Sequence, residues 1–398
     1  MRGRKKGAME PSSNRHEPTA NSCRLFQLPH PLILDILSRL PIRDLLHCRC
    51  VCKRFISFIS DPEFASLHLS ISPLCILTNT KPLQKCRKRL QLSHVYADGA
   101  SFQVSKLNFT PKSNVPTWDI SDISACNGLL CLLGPKIGDP FYVFYVCNPI
   151  LGEFITIQPP CKGRHRSPFW GLGYSTVTKQ YKLLQSYYPT VKLNYPMAEI
   201  YTIGSGTWRS IGNAPTDFVS LPFHAFLNGA LHWSKSSLRG EFINSFDFDT
   251  EQFGIVPPPH HFQELDKYSS GCTKTGVLGG CLFICHCPDF MQFDIWVMKE
   301  YGVKESWTKQ FVIKHAYSGS YQPMLVLSNG EIFMLSNYPK ITCYNQKGRY
   351  MRGAKSFRIR SKFDAIAYTP CFVSLYNVAK GEQISRMQGT RVYDKICQ

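Results

Sequence analysis

The chain has 398 residues, 43% of them hydrophobic, and a formal net charge of +19 from 46 Lys and Arg against 27 Asp and Glu. That apolar fraction excludes a wholly disordered chain, and no run approaches the 18 or more apolar residues of a membrane span. Seventeen cysteines is an odd count. With no apolar signal core in the basic first residues, the expectation is free thiols in a reducing compartment, the cytoplasm and/or nucleus.

Length predicts two or three domains at about 100–200 residues each. The charge is uneven: +4 falls within residues 1–24 and +9 within 340–398, leaving +6 between them. Such ends favour acidic partners by steering without identifying them. Residues 1–24 read as a disordered basic leader, through Pro11, Ser12, Ser13, Asn14, Pro18 and Thr19. Arg2, Arg4, Lys5 and Lys6 form a candidate nuclear-import patch within it.

A compact helical module follows over 25–69. Leu28-Pro29 opens it, with proline where a first helical turn tolerates a missing N–H. Leu32, Ile33, Ile36, Leu37 and Leu40 recur at helical spacing until Pro41 stops the helix. A second helix is predicted with Leu45, Cys48, Cys52, Phe55 and Ile59 on one stripe, closed by Asp61-Pro62. Leu34, Ile42, Leu46, Val51 and Ile56 lie off those stripes, so both helices need cover on more than one side. A module this small does not supply it alone, and a partner protein is expected.

These residues resemble the F-box in its plant form. The matching parts are Leu28-Pro29, Asp35 to Pro41, Leu45-Leu46, Arg49 to Lys53 and Asp61 to Phe64. Phe55 stands where many relatives carry tryptophan, which keeps a ring and loses the indole donor. The resemblance implies docking on the Skp-type adaptor of a cullin–RING ubiquitin ligase. Leu28, Pro29, Leu32, Ile36, Leu40, Pro41, Leu45 and Val51 are the residues that match the adaptor-facing pattern.

From about residue 70 the pattern alternates as strands do. Asn127-Gly128, Asn228-Gly229, Gly279-Gly280 and Asn329-Gly330 each precede an apolar strand, and Asn-Gly is a strong hairpin signal because a type I′ turn needs positive φ at both central positions. A second strand pair follows each turn, with Trp208, Phe253 or Trp307 in three of them. The last three turns stand roughly 50 residues apart, the period of a kelch-type propeller blade. The expectation is a closed β-propeller over 70–376 with about six blades near 73–110, 124–160, 169–215, 224–259, 275–313 and 323–360. Residues 365–375 are predicted to return and seal the ring to the first blade. Residues 377–398 read as a weakly ordered tail. The fold class is thus α+β multidomain, a small helical F-box before an all-β propeller.

The segments at 126–132, 145–150 and 208–211 resemble the F-box-associated domain of plant F-box proteins. That resemblance implies a substrate receptor whose loops capture a target protein and leaves the target unnamed, since loops vary freely on a rigid scaffold.

Other clusters read as ordinary structure. Cys48, Cys50 and Cys52 do not converge if they share one helix, and Cys285 and Cys287 face away from His286 in a strand with Cys281. His260-His261, after three prolines, reads as a solvated turn. No nucleophile elbow, phosphate loop, zinc-protease helix or kinase signature is present, so neither catalysis nor a cofactor or metal is expected. The stretch 347–362 holds seven Lys and Arg and no acid. Arg349, Arg352, Lys355, Arg358 and Arg360 form a candidate substrate-binding patch for acidic or phosphorylated segments, weighed against a solvated blade edge. The rival function is a non-ligase basic propeller binding protein or nucleic acid, which leaves the apolar helices unexplained. No membrane partner is expected.

Overall fold

A computed structural model describes residues 24–386 apart from 81–88, 99–100, 110–121, 136–141, 161–168, 190–194, 216–224, 235–242, 261–273, 287–291, 315–320, 337–339 and 354–364. After a short 3-10 turn, Arg24–Gln27, come four helices: α1 His30–Ser38, α2 Ile42–Val51, α3 Lys53–Ile59 and α4 Pro62–Ile71. The sequence pattern predicts two. The second breaks because Cys52 takes an extended conformation, φ −159° and ψ 163°, between α2 and α3. Asp61-Pro62 ends one helix and starts another. The Asp61 carboxylate accepts a hydrogen bond from the Glu63 amide at 2.8 Å, and proline occupies the first turn of α4. Residues 62–71, just before the first strand, are therefore helix.

Strands then build sheets around an axis. From the axis outward, sheet I orders Ala365–Tyr368, Cys75–Thr80, Arg89–Asp98 and Ser101–Phe109. Sheet II orders Asp122–Cys126, Leu129–Pro135, Tyr142–Asn148, Glu153–Ile157 and Ser385–Arg386. Sheet III runs from Phe169–Ser175 through Gln180–Tyr187 and Met197–Thr202 to Trp208–Asn213, and sheet IV from Ala225–Leu227 through Ala230–Ser234 and Ile243–Asp247 to Gln252–Val256. Sheet V runs from Lys274–Leu278 through Cys281–His286 and Gln292–Met298 to Trp307–Lys314, and sheet VI from Gln322–Val326 through Ile332–Ser336 and Lys340–Tyr344 to Tyr350–Gly353. Among the described residues five sheets have four strands and sheet II carries a fifth, against the about six blades expected from the sequence.

Ala365–Tyr368 pairs antiparallel with Cys75–Thr80, Ile76 opposite Ala367, so late chain supplies the inner strand of the first sheet. This pairing covers the inner edge of Cys75–Thr80 and ties the late chain to the first sheet. The expected tail at 377 is corrected. Helix α5, Leu375–Val378, follows the closing strand, and Leu375 and Ala379 are buried. Ser385 then pairs with Phe154 as the fifth strand of sheet II.

Short turns and longer connections segregate to opposite ends of the sheets. Asn127 and Gly128 (φ 43° and 79°), Asn228 and Gly229 (50° and 77°), and Gly279 and Gly280 (59° and 76°) make the left-handed turns the sequence predicts. Asn329-Gly330 differs: only Gly330 has positive φ, and the turn closes one residue earlier through Gly330 N donating to Leu327 O at 2.9 Å. Trp208 and Trp307 begin outermost strands, and each indole donates to a carbonyl 50 residues earlier beside the preceding sheet, Gln158 O at 2.8 Å and Pro257 O at 2.9 Å. Phe253, the third member of that repeat, packs on Phe246 at 4.9 Å between centroids.

The helices sit at the short-turn end. One hydrophobic cluster runs from Ile33, Leu34, Leu37, Leu45, Leu46, Ile59 and Phe64 of the helices into Ile123, Leu130, Tyr145, Phe154, Tyr368 and Phe372 of the propeller. Part of the cover inferred for these helices is therefore supplied by the chain itself.

Candidate functional site: the outer face of the helical module

Helix α1 divides its apolar residues between two faces. Ile33, Leu34 and Leu37 are at most 2% exposed and belong to the core cluster that continues into the propeller. Leu28, Leu32 and Ile36, spaced by four, line the other side at 39%, 52% and 41% exposure. Leu32 and Ile36, four apart on α1, stack on one helix face, and Leu28 in the bend before the helix adds a third exposed apolar side chain to this ridge. Val51 at the end of α2 is 70% exposed and Ile56 on α3 is 40% exposed. Pro29 and Pro41 are exposed beside the same helix.

Local packing fixes this face. Phe26 in the 3-10 turn lies 4.9 Å from the Phe55 ring and stacks on Phe58 at 6.0 Å, and the Arg54 guanidinium sits 5.4 Å over Phe26. Phe55, where many relatives carry tryptophan, is thus part of the anchor of the chain entering α1. His30 Nε2 approaches Asp61 Oδ2 at 3.5 Å, and Arg39 pairs with Asp35 one turn away at 2.9 Å.

Six of the eight residues matched to the adaptor pattern are exposed: Leu28, Pro29, Leu32, Ile36, Pro41 and Val51. Leu40 is half-buried against the core. Leu45 is corrected: it is fully buried beside Leu46, because α2 turns its Leu-Leu pair toward the propeller, and it belongs to the core. Ile56 is the residue the pattern missed; its apolar character away from the α3 stripe was the available signal.

The C-terminal segment locks the joint. Asn148 is fully buried; its Nδ2 donates to Cys371 O at 3.1 Å and Val373 O at 2.7 Å, and its Oδ1 accepts from Ile150 N at 2.9 Å. Tyr368 OH donates to Gly128 O at 2.8 Å, and a β-carbon on Gly128 would stand 2.2 Å from the Cys371 sulfur. Glu153 accepts from Leu375 N at 2.7 Å and Ser374 Oγ at 2.9 Å. Burial pushes the Glu153 carboxyl up, while those two donors and the charges of Arg49 and Arg386 draw it down. Tyr201 OH donates to Glu382, and Asn377 Nδ2 reaches Ser60 O in α3's cap at 3.5 Å.

Of the proposed substrate patch, Arg349 is exposed in the turn before Tyr350–Gly353, and Arg352 lies on that strand. Lys355, Arg358 and Arg360 lie outside the described residues, as do Arg2, Arg4, Lys5, Lys6, His261 and Cys287. Cys48 and Cys52 do not share one helix as expected, since the chain turns at Cys52; Cys285 is buried, its Sγ 3.4 Å from Lys274 O.

The model of the F-box domain matches residues 25–67, and that of the F-box associated beta propeller domain matches 85–367. An F-box protein of Arabidopsis thaliana is 28% identical over 81% of this chain and 86% of its own length. F-box protein CPR1 of the same plant is 25% identical over 81% and 83%. An F-box/kelch-repeat protein from it is 26% identical over 90% and 98%. A chain of a nidogen/laminin complex superposes with a TM-score of 0.39 at 10% identity over 74% of this chain and 97% of that chain, too weak a likeness to carry an argument. With the model of its propeller domain spanning most of the chain, this protein belongs to the F-box-associated β-propeller family and carries an N-terminal F-box.

Proposed function

We propose that this chain is the substrate-recognition subunit of a Skp–cullin–F-box ubiquitin ligase acting in the cytoplasm and/or nucleus. The F-box docks on a Skp-type adaptor, which connects it to cullin and RING subunits, and the kelch-like propeller captures a target protein for ubiquitination and degradation. The chain performs no chemistry in this reading. It contributes proximity and orientation, which convert a bimolecular transfer into one within an assembly.

The observation that carries the reading is the exposed ridge of Leu28, Leu32 and Ile36, with Val51 and Ile56. The propeller already covers the inward residues of the module, so the outward ridge is what remains for a partner. Arg349 and its basic neighbours are candidates for contact with an acidic or phosphorylated target segment. Nucleic-acid binding by a free-standing basic propeller is the less favoured reading, because it gives the ridge no role.

The test is capture of the full chain by a plant Skp-type adaptor, wild type against Leu32→Ala/Ile36→Ala. Fully burying a Leu or Ile side chain is worth about 1.5–3 kcal/mol. Scaled by exposures of 52% and 41%, the pair contributes about 1.4–2.8 kcal/mol, so the variant should bind roughly 10- to 100-fold more weakly. Folded wild-type protein that the adaptor does not retain would overturn the proposal.

A further inference from the structure

The outer edges of the sheets are not alike. A sheet edge presents unpaired N–H and C=O groups to any extended chain, and proteins blunt such edges with charge, bulges or cover. Sheets III, V and VI use two of these devices. Their outer strands carry Arg209, Lys309 with Lys314, and Arg352. Each also slips register against its neighbour, leaving Ile211, Gln310 and Met351 as the extra residues of three bulges. The outer strand of sheet I carries Lys106, and that of sheet II is covered by Ser385 and Arg386.

Sheet IV has none of these. Its outer strand, Gln252–Val256, contains no charged residue and no proline, and it pairs with Ile243–Asp247 without a register shift. The outward backbone groups of this strand have no hydrogen-bond partner among the described residues. Phe253 and Ile255 share one face by strand alternation. Phe253 packs on Phe246 and Trp233, whereas Ile255 is 65% exposed. What such an edge can take is a backbone in the extended conformation, and the fifth strand of sheet II shows that this fold accepts one.

Charge selects what kind. Lys182 and Arg209 meet Glu251 at the residue before the strand, two positive groups against one negative. The outer strands of the flanking sheets, Trp208–Asn213 and Trp307–Lys314, contain basic residues and no acid. A second copy of the chain would bring its own net charge of +19 against them. A five-residue edge also supplies little of the roughly 800 Å² per partner that a stable interface buries. We propose that the outer edge of sheet IV docks an extended acidic segment of a partner protein, which adds an antiparallel fifth strand and sets a β-branched side chain on Ile255. Main-chain hydrogen bonds then hold the segment, and the cross-strand contact at Ile255 with the basic surroundings selects it.

The probe is the fluorescein-labelled peptide DDVTVTVDD, titrated by fluorescence anisotropy into the full chain without adaptor, so this proposal and the adaptor reading fail separately. Saturable binding is expected, at least tenfold weaker for KKVTVTVKK and for DDVTPTVDD, whose proline removes a ladder N–H. Ile255→Lys should weaken DDVTVTVDD binding at least tenfold with the unfolding midpoint unchanged, while Ile255→Val should stay within about threefold of wild type. Bound peptide should also slow hydrogen exchange at alternate amides of 252–256, a readout that stands even if Ile255→Lys folds poorly. No saturable binding by folded wild type would overturn the proposal. So would equal binding of the three peptides, unchanged binding to Ile255→Lys, or a dimer of the chain that Ile255→Lys dissolves, which would assign the edge to a second copy.

Discussion

Asn148→Ala should be among the most damaging single substitutions in the propeller. The side chain is fully buried and makes four hydrogen bonds to backbone groups, Cys371 O, Val373 O, Ile150 N and Leu151 N. Two of them, to Cys371 O and Ile150 N, are wholly buried. Leaving a buried partner unmet costs about 1–3 kcal/mol. Two such groups, with smaller losses from the other pair, give about 3–5 kcal/mol, near the upper limit for point substitutions. Denaturant unfolding of the full chain should show a lowered midpoint with an unchanged slope. Because two of the bonds hold the C-terminal segment, hydrogen exchange should also quicken at Val378 and Ala379, whose amides close α5 on Ser374 O and Leu375 O. A loss under about 1 kcal/mol, or a larger one with exchange at α5 unchanged, would refute the assignment of Asn148 as the staple of that segment.

Leu45→Ala should cost about 2–5 kcal/mol by opening the shared core, whereas Val51→Ala should leave stability within about 0.5 kcal/mol and weaken adaptor capture; reversed effects in melting and binding assays would contradict the two-faced module. Burial lowers the pKa of His68 to about 4, and burial, against the opposing Ala225 carbonyl, does the same for His232. An unfolded histidine titrates near 6.5, so between about pH 6.5 and 4 the unfolded chain binds up to two more protons. Stability is then fully present above that window and falls as pH drops through it, with a slope approaching about 2.7 kcal/mol per pH unit; an unfolding series flat from pH 7 to 5 would contradict this. Lys179, exposed at φ 57°, should gain up to about 1 kcal/mol on change to glycine. Glu251 shares that φ but pairs with Lys182 at 2.8 Å and with Arg209, so Glu251→Gly should destabilise instead, and chemical denaturation separates the two.

The readable parts of this fold were those whose physics is local. Asn-Gly and Gly-Gly at 127–128, 228–229 and 279–280 demand positive φ wherever they occur, and they turn as expected. At Asn329 the same dipeptide failed, because the Asn329 carboxamide accepts from Glu331 N at 3.0 Å in a turn one residue longer. Parts that depend on distant chain were not readable. Nothing near Leu45 says that it, and not Leu32 or Ile36, joins the core cluster that extends to Phe372 and Tyr368, since those residues are some 300 positions away. Nor does the composition of 377–386 reveal a strand on sheet II, where Ser385 and Arg386 pair with Phe154 and Glu153. The helix break at Cys52 had no proline or glycine to announce it. On the candidate surface, helical periodicity found the ridge residues but did not separate inward from outward, which takes knowledge of what covers each side.

Two of the three propeller stretches that gave the family resemblance are explained by the same joint. Residues 126–132 contain Gly128, whose missing side chain admits Cys371 and whose carbonyl receives Tyr368 OH. Residues 145–150 contain Asn148, which holds Cys371 and Val373. Both sit where the returning chain closes the ring and meets α4 through Phe372, which packs against Phe64 at 5.8 Å and His68 at 5.0 Å. The F-box is thereby fixed to the short-turn end of the propeller. Strands Glu153–Ile157 and Gln252–Val256 end, and Phe169–Ser175 and Lys274–Leu278 begin, at the other end. A joint built from buried hydrogen bonds and one continuous core resists bending, where a Gly/Ser linker would let the two ends reorient. In the receptor proposed above, such a joint would hold the far end of the propeller at a set distance from the exposed ridge of Leu32 and Ile36, so that substitutions at that end need not disturb docking at the other.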